Sequence, residues 1–131
     1  MNAAHMIAVS SVALLAACAQ QPPRHNVTVD KQQDCPVSLH TGQNLILSLP
    51  SNPTTGFRWL VQNPAQSVLR SLGPEVYNNP QDAGIVGNGG QSVWRFQAQH
   101  AGAGTLLLVY QQPWAPEVKP TQTFECAIDV K

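Results

Sequence analysis

From Asn26 onward the chain is a succession of short apolar runs, each soon broken by Pro, Gly or Asn, and none sustains a 3.6-residue period. The pattern predicts strands at 27–31, 44–49, 57–62, 68–72, 92–98, 105–111 and 123–130. Alternation is clearest in the last of these. Phe124, Cys126, Ile128 and Val130 point one way, toward the core, while Thr123, Glu125, Ala127 and Asp129 point the other. The 57–62 strand likewise sets Phe57, Trp59 and Val61 on one face, with Trp59 as a core anchor. The run 105–111 is apolar on both faces, which predicts a central strand. Together these elements predict an all-β, immunoglobulin-like antiparallel sandwich of seven to eight strands. If successive strands run antiparallel, the connections 50–57, 77–90 and 111–123 emerge at one end and share one rim.

Composition narrows the function classes. The chain has 131 residues, 43% of them hydrophobic and 11% charged, enough for one modest domain and too few for a second catalytic one. Seven basic residues balance seven acidic ones, without a Lys/Arg cluster. The field that would draw a polyanion is therefore missing, which excludes nucleic acid as a partner and a basic face as a membrane-surface contact.

The apolar run 6–17 (MIAVSSVALLAA) is too short to cross a hydrocarbon core of roughly 30 Å and has the size of a signal h-region. Its end, Leu15-Ala16-Ala17-Cys18, resembles the lipobox of bacterial lipoproteins, in which cleavage falls before the cysteine and that cysteine carries the lipid. The expected organisation is a signal peptide at 1–17, a lipidated tether at 18–25 beginning at Cys18, and a domain at 26–131. Ala-Gln-Gln-Pro-Pro-Arg after Cys18 reads as the tether; a buried helix of small residues is the alternative. Ala19 resembles the outer-membrane signal of Gram-negative lipoproteins, so the expected location is the periplasmic face of the outer membrane or the cell surface. With Cys18 lipidated, Cys35 and Cys126 remain as an even pair in an oxidising compartment, and a bridge between them is the economical assignment. By chain entropy such a loop is worth about 4.5 kcal/mol.

The three connections are the most unusual segments. In the first, Pro53 fixes φ and restricts Asn52, the Asn side chain can close an Asx-turn, and Gly56 permits positive φ before Phe57 resumes the strand. Thr54 and Thr55 are expected to offer two uncharged hydroxyls at its tip. In the second, Gly87-Asn88-Gly89-Gly90 lets backbone approach a partner closely, and a plain flexible loop is the alternative. In the third, Gln112-Pro113-Trp114 places a tryptophan on a proline-stiffened loop, either exposed as a binding anchor or folded back as a cap.

In this order and after matching strands, the motifs NPTTGF, GNGG and QPW resemble the chagasin-like inhibitors of papain-type cysteine peptidases, over roughly 42–130. The resemblance implies that Asn52, Pro53, Thr54, Thr55, Gly56 and Phe57 cover the peptidase's catalytic cysteine. It implies that Gly87, Asn88, Gly89 and Gly90 lie beside the cleft, with Gln112, Pro113 and Trp114 on the opposite wall. The family's last motif usually begins with Arg, where this chain has Gln112; the hydrophobic anchor is kept and the charged contact is not. The expected partners are a papain-like cysteine peptidase and, through the lipid, a membrane, with the chain acting as a monomer. No cofactor and no metal are expected. The histidines have no metal-ligand spacing and neither a serine motif nor a carboxylate pair appears, so an enzyme is not expected. The remaining alternative is a tethered module that uses the same rim for another protein or for a glycan stacking on Trp114.

Overall fold

A computed structural model of the chain describes residues 25–79 and 89–131 and, apart from them, Val12. Apart from Val12, the expected signal peptide lies outside the described residues, as do Cys18, most of its tether, Gly87 and Asn88. The strands are β1 (Asn26–Val29), β2 (Val37–Leu39), β3 (Asn44–Ser51), β4 (Arg58–Pro64), β5 (Leu69–Ser71), β6 (Val76–Asn78), β7 (Gly90–Ala98), β8 (Gly102–Gln111) and β9 (Gln122–Val130). One sheet has the order β1-β3-β7-β5, with β6 also on β7; the other has the order β2-β9-β8-β4.

The expected sandwich is present, and alternation builds it. Leu45, Leu47 and Leu49 of β3 and Trp94 and Phe96 of β7 face Leu106, Leu108 and Tyr110 of β8 and the four inward residues of β9, all buried. The doubly apolar β8 is central, between β9 and β4, as its sequence requires. Trp59 is 5% exposed, inside the core. Val61 keeps its expected face, paired with the buried Leu108, yet is 39% exposed because β4 is the border strand of its sheet and the sandwich is open along that side.

Two strands lie outside the seven expected segments, and two pairings are parallel. The first part of the chain begins beside β3 as β1, crosses at 30–36 and joins β9 as β2. Each half runs in the direction of its neighbour, so both pairings are parallel. Val37-Ser38-Leu39 is too short to show a period, and its partner lies far along the chain. In the crossing, the Asp30 N–H donates to the Asp34 carboxylate at 3.0 Å, which holds the pKa of Asp34 below its ordinary value. The other addition, β6, pairs with β7 beyond β5 and in the same sense. These two are halves of one edge, interrupted at 72–75, so the antiparallel alternation that sets the loop positions survives.

Cys35 and Cys126 are bridged, with Cα atoms 5.3 Å apart and a separation of 91 positions in sequence. The bond ties the crossing to β9. Opening it is expected to cost about 2–4 kcal/mol. Thermal melts followed by circular dichroism with and without dithiothreitol should differ by roughly 10–20 °C.

Candidate functional site

Register places the three loops together. Ser51, the last residue of β3, pairs with Gly90, the first of β7; Arg58 at the start of β4 pairs with Gln111 at the end of β8; Tyr110 pairs with Gln122 at the start of β9. The first loop (52–57), the described end of the second (Gly89) and the third (112–121) thus rise from one end of the sandwich.

The first loop is a single 3-10 turn, Pro53–Thr55, between a capped start and a left-handed stop. Asn52 Oδ1 accepts the Thr54 N–H at 3.2 Å, closing the expected Asx-turn. Gly56 ends the turn at φ 81, which glycine adopts without strain. The threonine hydroxyls differ from expectation. Thr54 Oγ1 donates to Asn52 Oδ1 at 2.6 Å and Thr55 Oγ1 donates to Asn52 O at 2.7 Å, while Thr55 Oγ1 also accepts the Phe57 N–H at 3.3 Å. Their protons therefore brace the turn, and only lone pairs remain for a partner.

The loop is also fastened from below. Trp59 Nε1 donates to Pro50 O at 2.9 Å, and Tyr110 Oη accepts the Asn52 N–H at 3.1 Å. The Tyr110 ring lies 5.0 Å from Trp59 and 5.5 Å from Phe57, forming a short aromatic stack under the turn. Phe57, one of the expected contact residues, is partly buried in this stack and supports the loop from beneath. Sequence reasoning missed Tyr110 as a loop fastener, because the apolar run 105–111 marks it only as a strand residue. Tyr110→Phe removes the acceptor from the Asn52 N–H and is expected to cost about 1 kcal/mol. Melts of the two proteins would show it as a Tm lower by about 4–8 °C.

Both flanks touch the turn. A Cβ on Gly56 would run into Cη2 of Trp114 and lie 3.3 Å from Cζ2 and Cζ3, so the indole is laid against the glycine. Trp114 is nonetheless 68% exposed: it is neither a loose anchor nor a buried cap, but a ring braced on one face and open on the other. On the other side a Cβ on Gly89 would lie 3.1 Å from Ser51 O and 3.5 Å from Asn52 Cβ, which places the second loop's described end against the first. The result is a ridge with Asn52 to Gly56 at its crest, Trp114 on one slope and Gly89 on the other. Beside it an open hollow of about 550 Å³ is lined in part by Pro50, Phe57, Tyr110, Thr55, Gly89 and Gln122.

Formal charge on these loops is sparse in the sequence: Asp82 in the second, Glu117 and Lys119 in the third, and Arg58 just below the first. Among the described residues no group of three or more His, Cys, Asp or Glu is placed to hold a metal ion. Ordered uncharged hydrogen-bonding groups beside an exposed indole suit docking into a groove.

The family model described as chagasin family peptidase inhibitor I42 matches residues 38–128. Amoebiasin-1 of Entamoeba histolytica is 30% identical over 95 residues, 72% of this chain and 89% of that protein. Chagasin of Trypanosoma cruzi is 28% identical over 90 residues, 67% of this chain and 82% of that protein. Among solved structures, a cysteine protease inhibitor from Entamoeba histolytica superimposes with a TM-score of 0.70 at 18% identity, covering 85% of this chain and 100% of that one, a likeness of fold.

Proposed function

The chain belongs to the chagasin family of peptidase inhibitors, and we propose that its loop ridge closes the active-site cleft of a papain-like cysteine peptidase. In this reading Asn52 to Gly56 occupy the cleft over the catalytic thiol, Gly89 and Gly90 lie along one wall, and Pro113 and Trp114 lie along the other. Gly87 and Asn88 belong to the same wall as Gly89. The observation that carries the reading is the braced first loop, with Trp114 set against Gly56.

Blocking a protease without being cut requires filling the cleft while denying the nucleophile a carbonyl in attack geometry. A turn already closed by Asn52, stopped by Gly56 and tied to Tyr110 loses little further conformational entropy on binding. Several modest contacts can then sum to tight binding. A footprint of about 800 Å² per partner supports nanomolar affinity when an aromatic anchor is present. Trp114 supplies that anchor. Gln112, where the family motif usually has Arg, contributes hydrogen bonding and no ion pair.

The test is an inhibition constant for soluble residues 25–131 against papain and a cathepsin L-like enzyme. Papain carrying a bulky covalent blocker on its thiol serves as the competitor. The wedge predicts nanomolar inhibition and no capture by blocked papain. Papain cleaving at full rate in saturating protein would remove the reading, and binding to a glycan with indifference to papain would favour the module alternative. Because so few charges ring the ridge, the inhibition constant is expected to change less than about threefold between low and moderate salt.

The same proposal extends to the N-terminal segment. Residues 1–17 act as a signal peptide and Cys18 receives the lipid, anchoring the domain at the periplasmic face of the outer membrane or on the cell surface. The apolar run ending Leu-Ala-Ala-Cys and the polar, proline-containing stretch after it support this. Mass spectrometry of the membrane-extracted protein, and of Cys18→Ala, tests it.

A further inference from the structure

The point at which the chain enters the fold lies at the pole opposite the ridge. Asn26 pairs with Asn44 at the start of β3, and β3 then runs to Ser51 at the foot of the first loop. Eight residues of strand separate the two poles, about 25 Å. His25 is fixed there: its carbonyl accepts the Asn44 N–H at 2.8 Å, and its Nε2 lies 3.3 Å from Asn44 Nδ2. That pole is polar. His25, His40, Thr41, His100 and Lys131 are exposed on it, and among residues 25–79 and 89–131 none of the exposed large hydrophobic side chains lies there. Trp114 and Val118, exposed at 68% and 57%, are at the other end, in the third loop.

This distribution sets two orientations against each other. An exposed indole is a side chain that partitions into a membrane interface. A tethered domain that tipped over could therefore seat Trp114 among headgroups and cover its own ridge. From Cys18 to His25 the backbone spans at most about 25 Å when fully extended. It leaves from the pole farthest from Trp114, so tipping has to overcome the length of the sandwich as well as the bracing of Trp114 on Gly56.

We propose that the His25 pole is the bilayer-facing base of the anchored chain and that the ridge is held out toward peptidases in the aqueous phase, as accessible on the membrane as off it. This rests on the lipid-anchored inhibitor reading above. The partner it selects is a soluble peptidase with an open cleft, captured without release of the inhibitor from its anchor.

The test uses residues 18–131, which retain every strand described. Cys35 and Cys126 are bonded to each other, so the thiol of Cys18 is free for coupling to a maleimide lipid in phosphatidylcholine vesicles. Papain inhibition on vesicles is compared with inhibition by the same chain capped at Cys18 in solution, with and without residues 20–24. The expected result is agreement of all four inhibition constants within about threefold. In parallel, brominated phosphatidylcholine should leave the emission of Trp114 unquenched while aqueous acrylamide quenches it; Trp59 and Trp94, each 5% exposed, are silent to both. Weakening by tenfold or more on vesicles, or quenching by the brominated lipid, would overturn the orientation. If the capped chain in solution fails to inhibit, the inhibitor reading is what fails, and the quenching result still decides the orientation.

Discussion

Gly56→Ala is expected to weaken inhibition of papain by roughly a hundredfold or more. Two costs combine at this position. The residue holds φ 81, where an L side chain is strained by about 1–2 kcal/mol. The added Cβ also overlaps Cη2 of Trp114, so the indole must leave the ridge or the turn must open. Either response removes the anchor from the place where it meets the partner. Gly42→Ala is the control: Gly42 is at φ 96 with nothing within 4 Å of its would-be Cβ, at the pole away from the ridge. It should lower the melting temperature by a similar amount and leave inhibition unchanged. Equal inhibition by the Gly56 and Gly42 variants would show that the contact between glycine and indole plays no part. Trp114→Ala, at a largely exposed side chain, should separate anchor from fold, with inhibition down by about thirtyfold and the melt unmoved.

The largest effect on stability is expected at Trp59. Its indole is buried between the sheets, lies 5.0 Å from the Tyr110 ring, and donates its N–H to Pro50 O. Trp59→Ala opens a cavity and orphans that carbonyl, for a loss of about 4–6 kcal/mol. Domains of this size hold about 5–15 kcal/mol in all, so a large unfolded fraction at 37 °C is expected. Urea titration followed by fluorescence would measure it. A midpoint close to that of the parent would refute Trp59 as the anchor of the core. Trp59→Phe keeps most of the volume and loses only the bond to Pro50 O, for about 1–2 kcal/mol. Since Pro50 leads directly into the first loop, this milder variant should also lose some inhibition while it remains folded.

Much of this arrangement could be read before any coordinates. The alternation in β9, the doubly apolar β8 and Trp59 gave the sandwich, because burial on one face or two imprints directly on residue choice. Parity of antiparallel strands brought the loops to one end, and Pro53 with Gly56 marked the turn. What escaped was non-local. The strand β2 is defined by a partner about ninety residues away, and β6 by the neighbour it shares with the expected β5, so neither carries a period of its own. The exposure of Val61, on the inward face, follows from the place of β4 at the border of its sheet, which sequence alternation cannot show. Nor does the hydroxyl of Tyr110 advertise that it reaches Asn52, 58 positions away. The inward use of the Thr54 and Thr55 protons is a property of the closed turn and not of the residue types.

The outermost strands have a bearing on how densely such a domain can be displayed. At the borders of the two sheets lie β1 with four residues, β2, β5 and β6 with three each, and β4, whose ladder is interrupted at Val61. None of these offers a long flat row of unpaired amides for a neighbour to extend. Copies crowded side by side on a surface would therefore find no template for fibre growth in the described strands, and each would remain a separate, dispersible unit.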